Sequence, residues 1–248
     1  MGNLVSVSLP NGTQIQYLID GQNRRVGKIV NGKIVKRWLY QNQLNIVAEL
    51  DSVGNVSSRF VYGTKGHVPD YMVKDGVTYR FITDHLGSVR FVVDVASGTV
   101  VQYISYDEFG NILTDTNPDF QPFGYAGGLY DGQTGLVRFG ARDYDCFTGR
   151  WTGKDPIGFL SNQTNFYIYA YNDPINFNDF NGWFGTADFV YHYYFGGGRP
   201  IDLGFVGLLD NFKRSTSVKE AVGDFSKNLL QRAYVLANSL CVCSMTRN

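Results

Sequence analysis

Apolar and polar residues alternate in short runs along most of the chain, and the same kind of turn breaks each run. The pattern Asp-x-x-Gly-x-(Val/Ile), preceded by an aromatic run that often carries tyrosine, occurs strictly at Asp51-Ser-Val-Gly54-Asn-Val56, Asp84-His-Leu-Gly87-Ser-Val89 and Asp107-Glu-Phe-Gly110-Asn-Ile112. Copies with one extra residue before the glycine start at Asp94, Asp131 and Asp145, and a degenerate copy at Asp20 opens the series. An aspartate can accept from backbone amides two residues on, and glycine takes the left-handed position. Each motif therefore predicts a β-hairpin turn between two strands of period two. A hairpin cannot bury its own apolar face. Neighbours in the array must cover one another, which predicts a continuous antiparallel sheet, spiralled or closed, with aromatic residues inside.

The period changes near the end. From Ser217, the residues Val218, Val222, Phe225, Leu229, Ala233 and Leu236 recur at three- and four-residue steps, as on one face of an amphipathic helix. Ser217 and Glu220 form a capping box at its start. Before residue 210 helix formers are scarce. The 17 Tyr, 18 Phe and 29 Gly of the 248 residues suit pleated surfaces and positive-φ turns instead.

Charge and cysteine narrow the function. Lys plus Arg equals Asp plus Glu at 22 each, so no overall field draws the chain to nucleic acid or to an anionic membrane. The cluster Lys213, Arg214, Lys219, Lys227 and Arg232 reads as a solvated helix face. Three cysteines are too few and too unevenly placed for a disulfide scaffold, and Cys241 and Cys243 with a lone His192 do not make a metal site. No cofactor, metal, secretion signal or membrane span is expected from these residues. Ser88, His85 and Asp84 are neighbours in one tight turn and cannot converge as a catalytic triad. Gly196 to Pro200 is glycine-rich but lacks the Lys-Ser/Thr and the strand-to-helix setting of a phosphate loop.

With Tyr79-Arg-Phe-Ile-Thr-Asp84-His-Leu-Gly-Ser-Val-Arg90 and Tyr103-Ile-Ser-Tyr-Asp107-Glu-Phe-Gly110, the chain resembles the YD repeats of RHS proteins. From Phe123-Gly-Tyr-Ala-Gly to Gly182 it resembles the RHS repeat-associated core that closes such a shell, and the likeness runs over roughly residues 13 to 183. The most specific part runs from Arg142 through Asp155-Pro156-Ile-Gly158 and Asn165-Phe-Tyr167-Ile-Tyr169 to Asp179-Phe-Asn-Gly182-Trp183. This matches the family's order of an arginine, an aspartate turn, an N-x-Y-x-Y strand and a second aspartate turn. Phe180 stands where the family has Pro, and Trp183 where it has Leu or Met.

The resemblance implies a mainly β fold, an array of YD-repeat antiparallel β-hairpins forming part of a spiral shell, with a short α-containing C-terminal tail. Residues 1–122 would be the hairpin array, 123–183 the core with a self-cleavage segment, and 184–248 a variable toxin tail or toxin remnant. It implies Asp155 and Asp179 as a carboxylate pair, Arg142 as their electrostatic partner, and Trp183-Phe184 as the bond cut. Its implied partners are the rest of a longer shell or the chain's own cleaved tail, a cognate immunity protein and delivery machinery. Its implied location is the bacterial cytoplasm before export as an effector. A non-catalytic structural or adhesive module, or a displaced and inactive tip, is the alternative.

Independently of any family, two carboxyl groups brought close cannot both ionise cheaply, so one can serve as acid and the other as base. Most turn aspartates, however, bond only their own backbone. The 65 residues after Trp183 show no nuclease, deaminase or ADP-ribosylation constellation. A released toxin, a toxin remnant and a leader to a further domain all fit them.

Overall fold

The computed structural model describes residues 2–156, 158 and 164–183, and the tail with its expected helix lies outside them. Eleven strands follow one another in an antiparallel sheet whose spatial order is the chain order. They are β1 (Ser6–Ser8), β2 (Gln14–Ile19), β3 (Arg25–Val30), β4 (Lys33–Tyr40), β5 (Ile46–Leu50), β6 (Val56–Val61), β7 (Tyr71–Lys74), β8 (Val77–Thr83), β9 (Val89–Asp94), β10 (Val100–Tyr106) and β11 (Ile112–Asp115). A second antiparallel sheet holds β12 (Leu129–Asp131), β13 (Leu136–Phe139), β14 (Arg142–Asp145) and β15 (Arg150–Trp151). Both sheets belong to one compact unit.

The aspartate turns work as their chemistry predicts. Asp51 Oδ1 accepts from the amides of Val53, Gly54 and Asn55, and Asp84 and Asp107 each accept from the second and fourth amides after them. In the degenerate copy, Asp20 accepts from Gln22 and Arg24, and Asn23 takes the left-handed position in place of glycine. Gly110 shows why a side chain is excluded there: its φ is +90°, and a Cβ would stand 2.3 Å from the Tyr125 ring. Register shifts beside several turns, as between Leu39 and Tyr40 and between Ile82 and Thr83, add local twist to the long sheet.

Alternation puts Trp38, Phe60, Met72, Phe81, Val92 and Ile104 on one buried face. Phe123, on the link between the sheets, packs edge-on against Phe60 and Phe81 at 5.0 and 6.0 Å between ring centres. A second cluster, rich in rings, gathers Tyr125, Phe139, Tyr144, Trp151 and Tyr169. The expected N-x-Y-x-Y strand is corrected here. Ile168 makes a single bridge to Arg150, and Ala170–Asn172 is a turn with three successive positive φ values. Tyr169 is buried with its ring 4.2 Å from that of Tyr144, and the chain reverses immediately after it instead of continuing extended.

Buried charge fastens the early strands to the second sheet. Asp131 accepts from the Tyr17 hydroxyl and pairs with Lys28, both at 2.7 Å. Asp143 pairs with Arg25 at 2.7 Å and with Arg138 at 2.9 Å. Neutralising Asp143 leaves two buried guanidiniums short of a counter-charge, and breaking a buried pair costs about 3–5 kcal/mol. Asp143→Asn is therefore expected to lower unfolding free energy by about that amount. Urea denaturation checks this, and a loss below about 1 kcal/mol would show that the anchor does not hold the two sheets together.

Candidate functional site

Arg142 begins β14, just after the tight reversal at Gly140 and Ala141 that joins it to β13. This reversal lies against the second aspartate turn. The Ala141 amide donates to the Asn181 carbonyl at 3.0 Å, and a Cβ on Gly140 would meet that same oxygen at 2.4 Å. Gly182 is pressed from the other side, with φ +69° and a would-be Cβ 2.3 Å from the Phe139 carbonyl oxygen. Only glycine allows the two backbones to approach this closely.

Three groups converge on the Arg142 side chain. Its Nη2 lies 2.9 Å from Asp179 Oδ2, its Nη1 lies 3.4 Å from Asp155 Oδ2, and its Nε donates to the Gly182 carbonyl at 2.6 Å. The guanidinium stands 4.0 Å over the Trp151 ring, whose face favours the cation. The structure thus brings together Arg142, Asp155 and Asp179, the three residues expected to act, although 24 positions separate the two aspartates. Trp183 is present beside them, and its amide donates to Asp179 Oδ1 at 3.2 Å and to Asn181 Oδ1 at 2.8 Å. Phe184, on the far side of the expected scissile bond, lies outside the described residues.

Asp179 fills a turn role and a buried role at once. Its Oδ1 accepts from Gly182 and Trp183, as in the other aspartate turns, while its Oδ2 faces Arg142. Burial pushes its carboxyl up to about 6; Arg142 opposes that shift and the nearby charge of Asp155 adds to it. The buried Tyr169 phenol beside it is also raised, by burial first and by neighbouring Tyr125 and Asp179 after that. The site therefore holds an acid that keeps its proton into the mildly acidic range, a second carboxyl, and a cation bonded to the backbone one residue before the expected cut.

Residues not anticipated as part of the site hold this segment in place. Phe180 stacks on His67 at 4.8 Å with the rings 17° apart, which ties the second aspartate turn to the loop before β7. Asn178 donates to the Leu86 carbonyl, the Tyr125 hydroxyl donates to the Pro174 carbonyl, and His85 Nε2 meets the Ile175 carbonyl at 2.8 Å. An aromatic ring in a proline position was the available signal for a partner such as His67, but the partner's identity depends on the fold. Among the described residues no group of three His, Cys, Asp or Glu side chains could hold a metal ion, and no helix is long and apolar enough to cross a membrane.

A long antiparallel meander with aspartate–glycine turns and aromatic inner positions, closed by a ring-rich second sheet, defines a segment of a YD-repeat shell. The Teneurin YD-shell family model matches residues 1–177. Teneurin-3 of Danio rerio is 33% identical over 215 residues, covering 77% of this chain and 8% of that protein. The tRNA3(Ser)-specific nuclease WapA of Bacillus spizizenii is 28% identical over 165 residues, covering 64% of this chain and 7% of that protein. Among solved structures, TcdB2-TccC3-TEV aligns with a TM-score of 0.56 at 22% identity, over 73% of this chain and 10% of that one. A Tc holotoxin pore of Photorhabdus luminescens carrying a TccC3 variant aligns with a TM-score of 0.59 at 22% identity, over 75% of this chain and 10% of that one. The chain belongs to the teneurin/RHS YD-shell family, and it spans less than a tenth of the length of the curated relatives it matches.

The raised Asp179 carboxyl has a measurable consequence. Its folded pKa, about 6, lies above the ordinary 3.8, so the folded state binds this proton more tightly than the unfolded state does. Its contribution to stability is thus greatest below that ordinary value and is lost as pH rises through about 6. Asn at this position has no such proton. The stability of the parent chain minus that of Asp179→Asn is expected to fall between pH 4 and pH 6 and to be flat above about pH 7. Paired urea titrations over that range check it, and a difference that grows with pH would reverse the assignment.

Proposed function

We propose that this chain is the distal part of an RHS-type toxin polypeptide, whose β shell encloses the variable segment after Trp183 and frees it by one hydrolytic cut between Trp183 and Phe184. The observation that carries this reading is the position of Arg142, which pairs with both Asp155 and Asp179 and binds the Gly182 carbonyl. That bond holds the backbone one residue before the Trp183 carbonyl.

The division of labour follows from the raised carboxyl of Asp179. The Asp155 carboxylate takes a proton from water as the water oxygen bonds to the Trp183 carbonyl carbon. Asp179, the carboxyl that burial keeps protonated up to about 6, gives its proton to the departing nitrogen of Phe184. The carbon–nitrogen bond breaks, leaving on Trp183 a carboxyl group, which then loses its proton to solvent, and an amine on Phe184. Because catalyst and substrate share one chain, effective concentration is high and even slow chemistry completes a single turnover. On the same reading the chain is made in a bacterial cytoplasm and exported by dedicated machinery, and a cognate immunity protein restrains its tail.

The purified chain is expected to give two masses divided at Trp183-Phe184, while Asp155→Asn and Asp179→Asn each stay whole. Cutting is expected to be faster at pH 5 than at pH 8 and to slow by roughly tenfold per unit above the Asp179 pKa. Asp155-Pro156 and Asp173-Pro174 are acid-labile bonds that lie elsewhere and serve as internal controls. Fragments ending at those bonds, or cutting that persists in both variants, would point to ordinary hydrolysis or a foreign protease. A parent chain that remains whole through long incubation would make this a non-catalytic YD module.

A further inference from the structure

A cavity of about 40 Å³ lies between the two sheets, lined from the first by Arg24, Arg25 and Tyr40 and from the second by Arg138. No carboxylate lines it. Three guanidiniums share two carboxylates: Arg24 pairs with Asp20, and Arg25 and Arg138 both pair with Asp143. One positive charge is left over. Arg25 is 1% exposed and Arg138 4%, and the Nε of each finds no acceptor among the described residues. Buried donors and buried charge left unmatched are costly, and a group in that state calls for a partner. The Arg24 guanidinium stands 5.2 Å from the centre of the Tyr40 ring, the Tyr40 hydroxyl donates to the Arg25 carbonyl, and all three arginines line the one cavity.

We propose that this cavity binds one small monovalent anion, the size of chloride or a single carboxylate group, held by the Nε–H groups of Arg25 and Arg138. The volume decides the class. One water needs roughly 10–15 Å³ measured in the same way, so the cavity admits a halide or a carboxylate group and excludes a nucleotide or a sugar. Guanidinium donors left over from a shared aspartate favour an acceptor carrying full negative charge over a neutral one. Occupancy links β3 to β13, so the anion stabilises the seam between the sheets.

The test is thermal melting of the full chain at constant ionic strength, with sodium chloride exchanged for sodium gluconate, whose anion is too bulky to enter. Chloride line width in the NMR spectrum reports binding directly. The melting point is expected to rise by about 4 °C as chloride replaces gluconate, since a ligand that binds only the folded chain stabilises it by mass action. Line broadening is expected to saturate and to be reversed by formate. Arg138→Gln should abolish both effects. Leu44→Phe should do the same by filling the cavity from the loop before β5 while leaving every guanidinium in place, so a folding defect in the first variant cannot decide the matter. Equal melting points in the two salts would overturn the proposal, as they would if a carboxylate from another part of the shell or water alone filled the space. A chloride response that survives in Leu44→Phe would equally overturn it.

Discussion

Arg142 has a side chain that does not give up its proton and that the fold has taken out of water, so its surroundings must provide negative charge and acceptors. The chain meets this requirement from three places distant in sequence: Asp155 after β15, Asp179 in the last aspartate turn, and the Gly182 carbonyl. Removing any of these would leave a buried cation partly uncompensated. The same constraint explains the tight backbone contacts at Gly140 and Gly182, because the two turns must touch for Arg142 to reach its partners. The chemistry follows from packing: enclosing the site raises Asp179 toward the range in which it can act as an acid, while the guanidinium keeps the pair from being prohibitively costly.

A second buried arrangement of the same kind, Asp143 with Arg25 and Arg138 and Asp131 with Lys28 and Tyr17, holds the first sheet against the second. Apolar rings such as Phe123 supply the driving force for burial, and the ion pairs fix which strands face each other. β1 and β11 remain as the ends of the long sheet. In a chain spanning less than a tenth of its relatives' length, an end strand is where further shell can continue the hydrogen-bond ladder.

The turns were the most legible part of the sequence, because Asp-x-x-Gly encodes its own local geometry. Asp51, Asp84 and Asp107 bond the amides their motif specifies without help from elsewhere in the fold. The meeting of Arg142, Asp155 and Asp179 was legible only through family resemblance, since an aspartate in a turn looks the same whether it is solvated or buried. Asp51 is on the surface and Asp179 is in the core, yet both serve the same turn. Three features depended on tertiary context. Tyr167 and Tyr169 read as strand residues, but the burial of Tyr169 and the left-handed turn after it leave only one bridge. His67 gives no signal in its own loop until Phe180 stacks on it. The leftover charge at Arg25 and Arg138 follows from long-range pairing that no local pattern records.

On the proposed reading, water directed by the carboxyl pair around Arg142 opens the peptide bond after Trp183. The most direct test is to collect the chain under denaturing conditions, refold it in heavy-oxygen water and locate the label by fragment mass spectrometry. The account predicts one heavy oxygen in the terminal carboxyl of the fragment ending at Trp183 and none in the Asp155 or Asp179 side chains. A fragment ending at any other residue, a label on an aspartate side chain, or a chain that refolds and stays whole would contradict it.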